Sequence, residues 1–143
     1  MIGLSPQRDE LMPSRPSAQP PEPPHIRSFR TPAEVDAAIG TLRHRIADIE
    51  QLRADRAQYD DPRVYIVQNA IRDAIHEIFG KDSAQFERHG HFSIDDGPKY
   101  TLGIQDPSDF VRRYQQQFER DTPGAIARIE GLILGLEEKR REL

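Results

Sequence analysis

Two histidines and two aspartates lie in one short stretch of the chain, at His89, His91, Asp95 and Asp96. Imidazole nitrogens and carboxylate oxygens are ligands of zinc and other divalent ions, so a metal site is one hypothesis for this stretch. A His-x-His pair is common by chance, however, and no second set of ligands with metal-binding spacing accompanies it. We therefore favour a polar surface loop and predict that the protein binds no metal and no cofactor.

No other motif indicates a catalytic centre. The sequence lacks the glycine-rich phosphate loop, the nucleophile turn of hydrolases and the zinc-deaminase signature. It contains no cysteine, which excludes disulfides, thiol nucleophiles and thiolate-bound metals. We predict that the protein is not an enzyme and has no catalytic residues; a minimal enzyme using the histidine loop as acid and base is a further alternative.

The overall charge argues against a nucleic-acid partner. Among 143 residues, 20 Lys and Arg stand against 24 Asp and Glu, which gives a net charge of -4. Proteins that bind phosphate backbones usually carry a basic surface. No apolar run approaches the roughly 20 residues that cross a bilayer, and the N-terminus lacks a basic-then-apolar signal pattern. We expect a cytoplasmic protein with no nucleic-acid and no membrane partner.

Prolines mark the expected domain boundary. Residues 1–30 hold seven of the twelve prolines and few large apolar side chains, so they cannot bury enough surface to offset the entropy of ordering. We predict a flexible, disordered tail over 1–30 and one domain over 31–143. The stretch Pro20-Pro21-Glu22-Pro23-Pro24 is alternatively a docking peptide for an aromatic groove.

Four pairs of a capping residue and a proline indicate helix starts. They are Thr31-Pro32, Asp61-Pro62, Asp106-Pro107 and Thr122-Pro123. Glu34 follows Thr31 at the spacing of a capping box. The sequence leaves open whether Thr122-Pro123-Gly124 separates the last two helices or only kinks one long helix.

The first and last helices carry matching apolar stripes with a seven-residue repeat. These are Val35, Ile39, Leu42, Ile46 and Ile49 in the first, and Ile126, Ile129, Ile133, Leu136 and Leu143 in the last. Packing inside a bundle is the simpler interpretation, and an intermolecular coiled coil is the alternative. The pattern predicts an all-α fold, a small antiparallel bundle of four to five helices.

The middle of the chain should supply the central helix. It begins near Pro62, has Ile71 at the middle of a broad apolar face, and stops at Gly80. A short helix follows, and residues 90–105 form an irregular segment that is either a covering loop or a marginal hairpin around Asp96-Gly97. The helix after Pro107 presents a largely aromatic face, which we expect in the core: Phe110, Val111, Tyr114 and Phe118.

Two glycines share one face of the last helix, because Gly131 and Gly135 lie four residues apart. Glycine permits close approach of another helix. We favour close packing inside the bundle, with self-association as the alternative. The candidate interaction residues of the chain are therefore Ile39, Ile46, Ile129, Gly131, Gly135 and Leu136.

Several stretches resemble a known family when taken together. They are Tyr59-Asp60-Asp61-Pro62, a helix with Ile71 and Ile75, Ile78-Phe79-Gly80-Lys81-Asp82-Ser83, and Phe86. Over roughly residues 35–142 the chain resembles a small helical leader module that in bacteria precedes TIR-like predicted nucleotide-binding domains and other antiphage-defence effectors. The resemblance implies a role in sensing, oligomerising or docking partners, and no catalytic residue.

The first functional hypothesis is accordingly a non-enzymatic helical adaptor or regulatory subunit. It would bind a protein partner, form a homodimer, and belong to a defence-type system. The alternative is a small-ligand or metal-binding protein with its site under the loop Gly90–Gln105. That site would use His89, His91, Tyr100, Phe110 and Tyr114.

Overall fold

The computed structural model describes residues 21–95 and 106–143. Within them the chain forms four helices and no strand, which confirms the all-α prediction: α1 (Pro32–Ala54), α2 (Pro62–Phe79), α3 (Ala84–His89) and α4 (Pro107–Glu142). The predicted hairpin around Asp96-Gly97 lies outside the described residues, as do residues 1–20 of the predicted tail. No described helix is both long and apolar enough to cross a membrane.

Three of the four predicted helix starts are confirmed. In each, the side chain before the proline accepts a hydrogen bond from an early amide of the helix: Thr31 from Glu34 at 3.2 Å, Asp61 from Arg63 at 2.9 Å, and Asp106 from Ser108 at 3.0 Å. The Glu34 carboxylate reaches back to the amide of Arg30 at 2.8 Å, one residue before the expected partner. Local capping chemistry therefore sets these three boundaries.

At the fourth pair, where the sequence leaves open whether two helices are separated, α4 continues through Pro123 as one helix. Proline lacks the amide that would bond the carbonyl four residues earlier, which here belongs to Glu119. The hydroxyl of Thr122 donates to that carbonyl at an Oγ1–O distance of 3.2 Å. Thr122 is buried, so its side chain replaces the missing bond from the inner side of the helix.

This replacement predicts a dependence between the two positions. Thr122→Val should lower the free energy of unfolding by about 1 kcal/mol, because the Glu119 carbonyl loses its donor. In a Pro123→Ala background the new amide can bond that carbonyl, so Thr122→Val should then be almost neutral. Urea titration of the four proteins measures the coupling, and equal losses in the two backgrounds would contradict this account.

α1, rather than α2, is the central helix of the bundle. It packs against both α2 and α4, whereas contacts between α2 and α4 are sparse. The guanidinium of Arg140 bonds Asp36, and the amide group of Gln115 bonds the carbonyl of Ala57, so α4 runs antiparallel to α1. Arg63 pairs with Asp55 across the short connection between α1 and α2.

The segment after α3 fills the space between α2 and α4. Phe92 and Ile94 are almost fully buried, although no helical period marks them. Arg72 of α2 donates from Nε to the Phe92 carbonyl at 2.7 Å, and Gln68 accepts from the Ile94 amide at 3.1 Å. From α4, the guanidinium of Arg128 lies 4.4 Å from the centroid of the Phe92 ring. Residues 91–95 thus connect the two outer helices.

Part of the predicted tail touches the bundle. Residues 21–30 have no regular secondary structure, yet Phe29 is half-buried and packs on the core. The Arg27 amide bonds the Phe79 carbonyl at 2.9 Å, where α2 ends. The domain boundary at residue 31 stays a prediction, and these contacts extend the region that belongs with the helices toward residue 25.

Candidate association surface

The predicted apolar stripes form the interior of the monomer, except for Leu143, which is 51% exposed. Ile39, Ile129 and Leu136 are buried in the core, and Ile46 packs against it while half-buried. These side chains meet where α1 and α4 run side by side, the most extensive helix contact among the described residues. The stripes are therefore occupied within one chain, and of the interaction residues proposed from sequence only the two glycines face outward.

Gly131 and Gly135 do not pack inside the bundle, contrary to the preferred expectation. Both are exposed, and a Cβ added at either position would meet no atom within 4 Å. Leu134 lies between them and is 62% exposed. The reason is the helical register: Leu132, Ile133 and Leu136 take the inward face, which turns the glycines and Leu134 to solvent.

This outward face forms a second stripe along α4, which we call the solvent stripe. Its members follow one another at spacings of 4, 3, 4, 3 and 4 residues and are all exposed: Arg120, Gly124, Ala127, Gly131, Leu134 and Glu138. Its centre is almost without side-chain bulk except for Leu134. The stripe is basic at Arg120 and acidic at Glu138, and Glu142 continues it beyond Glu138.

Ion pairs connect the C-terminal part of α4 to the first half of α1. Arg140 contacts Asp36 with an Nε–Oδ1 distance of 2.7 Å, and Arg43 lies 3.4 Å from Glu137. The hydrogen bond and charge of Arg140 lower the pKa of Asp36 below its ordinary value. Members of the solvent stripe take part in neither pair, and they stay exposed among the residues that the structure describes.

The histidines of the proposed metal loop do not converge. His91 is exposed, whereas His89 is half-buried with its Nδ1 3.4 Å from the Nη2 of Arg128. Burial and the charges of Arg128 and Arg88 lower the pKa of His89, and the same charges oppose a bound cation. No cluster of three or more potential ligands occurs in residues 21–95 and 106–143. Asp96 and Tyr100 lie outside this part of the chain.

The predicted aromatic face of α4 is only partly in the core. Phe118 is buried, but Phe110 and Tyr114 are half-buried and Val111 is 53% exposed. Tyr114 meets Tyr59 edge-on at a centroid distance of 5.5 Å. An open groove of about 390 Å³ lies beside this pair. Gln115 lines this groove. Its side chain accepts a hydrogen bond from the Tyr59 amide and donates one to the Ala57 carbonyl.

Comparison with protein-family models, curated proteins and solved structures finds no match for this chain.

Proposed function

We propose that the protein is a non-enzymatic helical interaction module that pairs with a second copy of itself through the solvent stripe of α4. The observation that carries the proposal is Leu134, 62% exposed between two glycines that leave open space. An exposed leucine alone is ordinary on a protein surface. Its position on a face of minimal bulk is what favours a helix partner, because another helix can approach closely there.

The charges of the stripe favour a second copy as that partner. In an antiparallel pair with its two-fold axis at Gly131, each residue faces the one equally far on the other side of Gly131. Gly131 then meets its own counterpart, and Ala127 faces Gly135, which lies beside the stripe, so small residues fill the centre; Leu134 faces Arg128 of the other chain. Arg120 of each chain falls opposite Glu142 of the other. A two-fold interface must be complementary to itself, and this arrangement of charges satisfies that requirement.

The pairing would leave the monomer core intact, because the solvent stripe shares no residue with it. A dimer of this module would present each of its other surfaces twice. This suits an adaptor or regulatory subunit that binds a separately encoded protein partner. The resemblance of residues 35–142 to helical leader modules of bacterial antiphage defence supports this role, and with it a place in a defence-type system. The role of the module in the cell remains part of the proposal.

Sedimentation velocity at micromolar concentration tests the pairing. We expect the wild-type protein to be a dimer, and Leu134→Lys or Gly131→Leu to be a monomer with unchanged circular dichroism. Gly131→Leu adds a bulky side chain at the proposed axis but also improves helix propensity, so the fold should persist.

Gly40→Leu is the matched control. Gly40 is an exposed glycine within α1 that also has no atom within 4 Å of its Cβ position. The same change there should leave the dimer unchanged. A monomeric wild type would reject the proposal, as would a dimer that survives both changes in the solvent stripe.

A further inference from the structure

An extended segment of the chain lies across the corner where α2 ends and α3 begins. The Arg27 amide donates to the Phe79 carbonyl at 2.9 Å, and the His25 carbonyl accepts from the Asp82 amide at 3.1 Å. The His25 amide in turn donates to Asp82 Oδ2 at 2.7 Å. Backbone groups of residues 25–27 thus satisfy polar groups that a helix end leaves without intrahelical partners.

The corner has no space for a side chain at its centre. Gly80 has φ of +94° and ψ of 152°, a region that is almost exclusive to glycine. A Cβ at this position would collide with the carbonyl of His25. The glycine is therefore needed twice, once for the backbone conformation and once for the close approach of the segment.

Most of the hydrogen bonds that residues 25–27 make to the corner use main-chain groups, and Arg27 adds one from its side chain. Ile26 is 58% exposed. The Arg27 guanidinium reaches the Glu77 carbonyl at 3.3 Å and lies 5.4 Å from the centroid of the Phe29 ring. Binding through main-chain hydrogen bonds is typical of surfaces that accept extended peptides.

We propose that the corner formed by Phe79, Gly80 and Asp82 is a docking site for an extended peptide, occupied by residues 25–27 of the same chain. The occupant belongs to the same chain because only Ser28, Phe29 and Arg30 separate it from the capped start of α1. So short a tether gives a high effective concentration. Pro24 directly precedes this docked segment in the chain.

Amide hydrogen exchange of the full-length protein, followed by NMR, tests the docking. The Arg27 amide should be protected in the wild type. Asp82→Ala removes the acceptor for the His25 amide and should speed exchange at Arg27 by about tenfold, the factor expected for one charge-assisted hydrogen bond. Exchange at Ile71 reports on the core and should stay unchanged, which separates undocking from loss of the fold.

Glu87→Ala is the control, because it removes a carboxylate from exposed α3 without touching the segment; it should leave Arg27 protected. An Arg27 amide that exchanges at the rate of an unstructured peptide in the wild type would overturn the proposal. So would equal protection in Asp82→Ala and the wild type.

A second measurement distinguishes the same chain from a second copy. The protein has no cysteine, so Ile26→Cys gives a single site for a spin label. In a mixture of spin-labelled protein and isotope-labelled wild type, the resonances of residues 81–83 should stay sharp, because each segment occupies its own corner. Broadening in that mixture would mean exchange between chains and would contradict occupancy by the same chain.

Discussion

Ile71→Asp should abolish the cooperative unfolding transition of the protein. Ile71 is fully buried in the middle of α2, where the replacement leaves a cavity and places a carboxylate without a partner among apolar side chains. Burying an unpaired charge costs several kcal/mol, a large share of the 5–15 kcal/mol that stabilises a typical domain. Circular dichroism during urea titration measures the result.

Ile66→Asp provides the matched control in the same helix. Ile66 is 64% exposed, so the identical change should alter the free energy of unfolding by no more than about 0.5 kcal/mol. If Ile71→Asp kept wild-type helicity and a cooperative transition, α2 would not supply the core in solution. Equal losses in both variants would point to helix propensity rather than burial as the cause.

Gly80→Ala should give the second largest loss. Alanine must adopt a backbone conformation that costs about 1–3 kcal/mol, and its Cβ must displace the His25 carbonyl. We therefore expect a lower midpoint in chemical denaturation together with loss of Arg27 amide protection. The two measurements report the two functions of this glycine separately.

The same substitution should have the opposite sign at Gly40. This residue lies within α1 with open space around its Cβ position, and alanine is the better helix former by roughly 0.5–1 kcal/mol. Gly40→Ala should accordingly raise the midpoint. A loss at Gly40, or no loss at Gly80, would contradict the conformational argument.

Sequence reasoning was most successful where structure depends on a few neighbouring residues. Thr31, Asp61 and Asp106 cap helices through bonds that span two or three positions, so residue types alone reveal them. Thr122 has the same local pattern but does not begin a helix. Its buried hydroxyl bonds a carbonyl within α4, which Pro123 would otherwise leave without a donor. The Thr-Pro pair is the same in both places, but the bond has the opposite direction: Thr31 accepts from the Glu34 amide, whereas the Thr122 hydroxyl donates to the Glu119 carbonyl.

Sequence reasoning identified Gly131 and Gly135 at the candidate surface, but it missed Leu134 and did not give the orientation of the surface. The spacing of Gly131 and Gly135 correctly places both on one face of α4. Periodicity gives the angle between that face and the apolar stripe, but it does not tell whether a further helix of the bundle covers the glycines. Only the packing of α4 on α1 decides this.

Contacts between distant segments without a period were missed altogether. Phe92 and Ile94 belong to no helical repeat. The residues that bond them, Arg72 and Gln68, lie 20 and 26 positions earlier in the chain. His25 and Arg27 come from a proline-rich stretch whose composition suggests disorder. Their hydrogen bonds use backbone groups, which every residue type possesses, so composition carries no trace of them.

The pairing of α1 with α4 also has a consequence for the order of events during synthesis. Arg140 and Asp36 are in contact although they lie 104 positions apart in the chain. While the ribosome makes the intervening chain, α1 and α2 can already associate as a local hairpin, but Ile39 and Ile129 cannot yet meet. The apolar side of the nascent hairpin stays exposed until residues 107–142 have been synthesised. During that time it can aggregate or bind chaperones. The last helix to emerge is thus the one that ends this vulnerable interval.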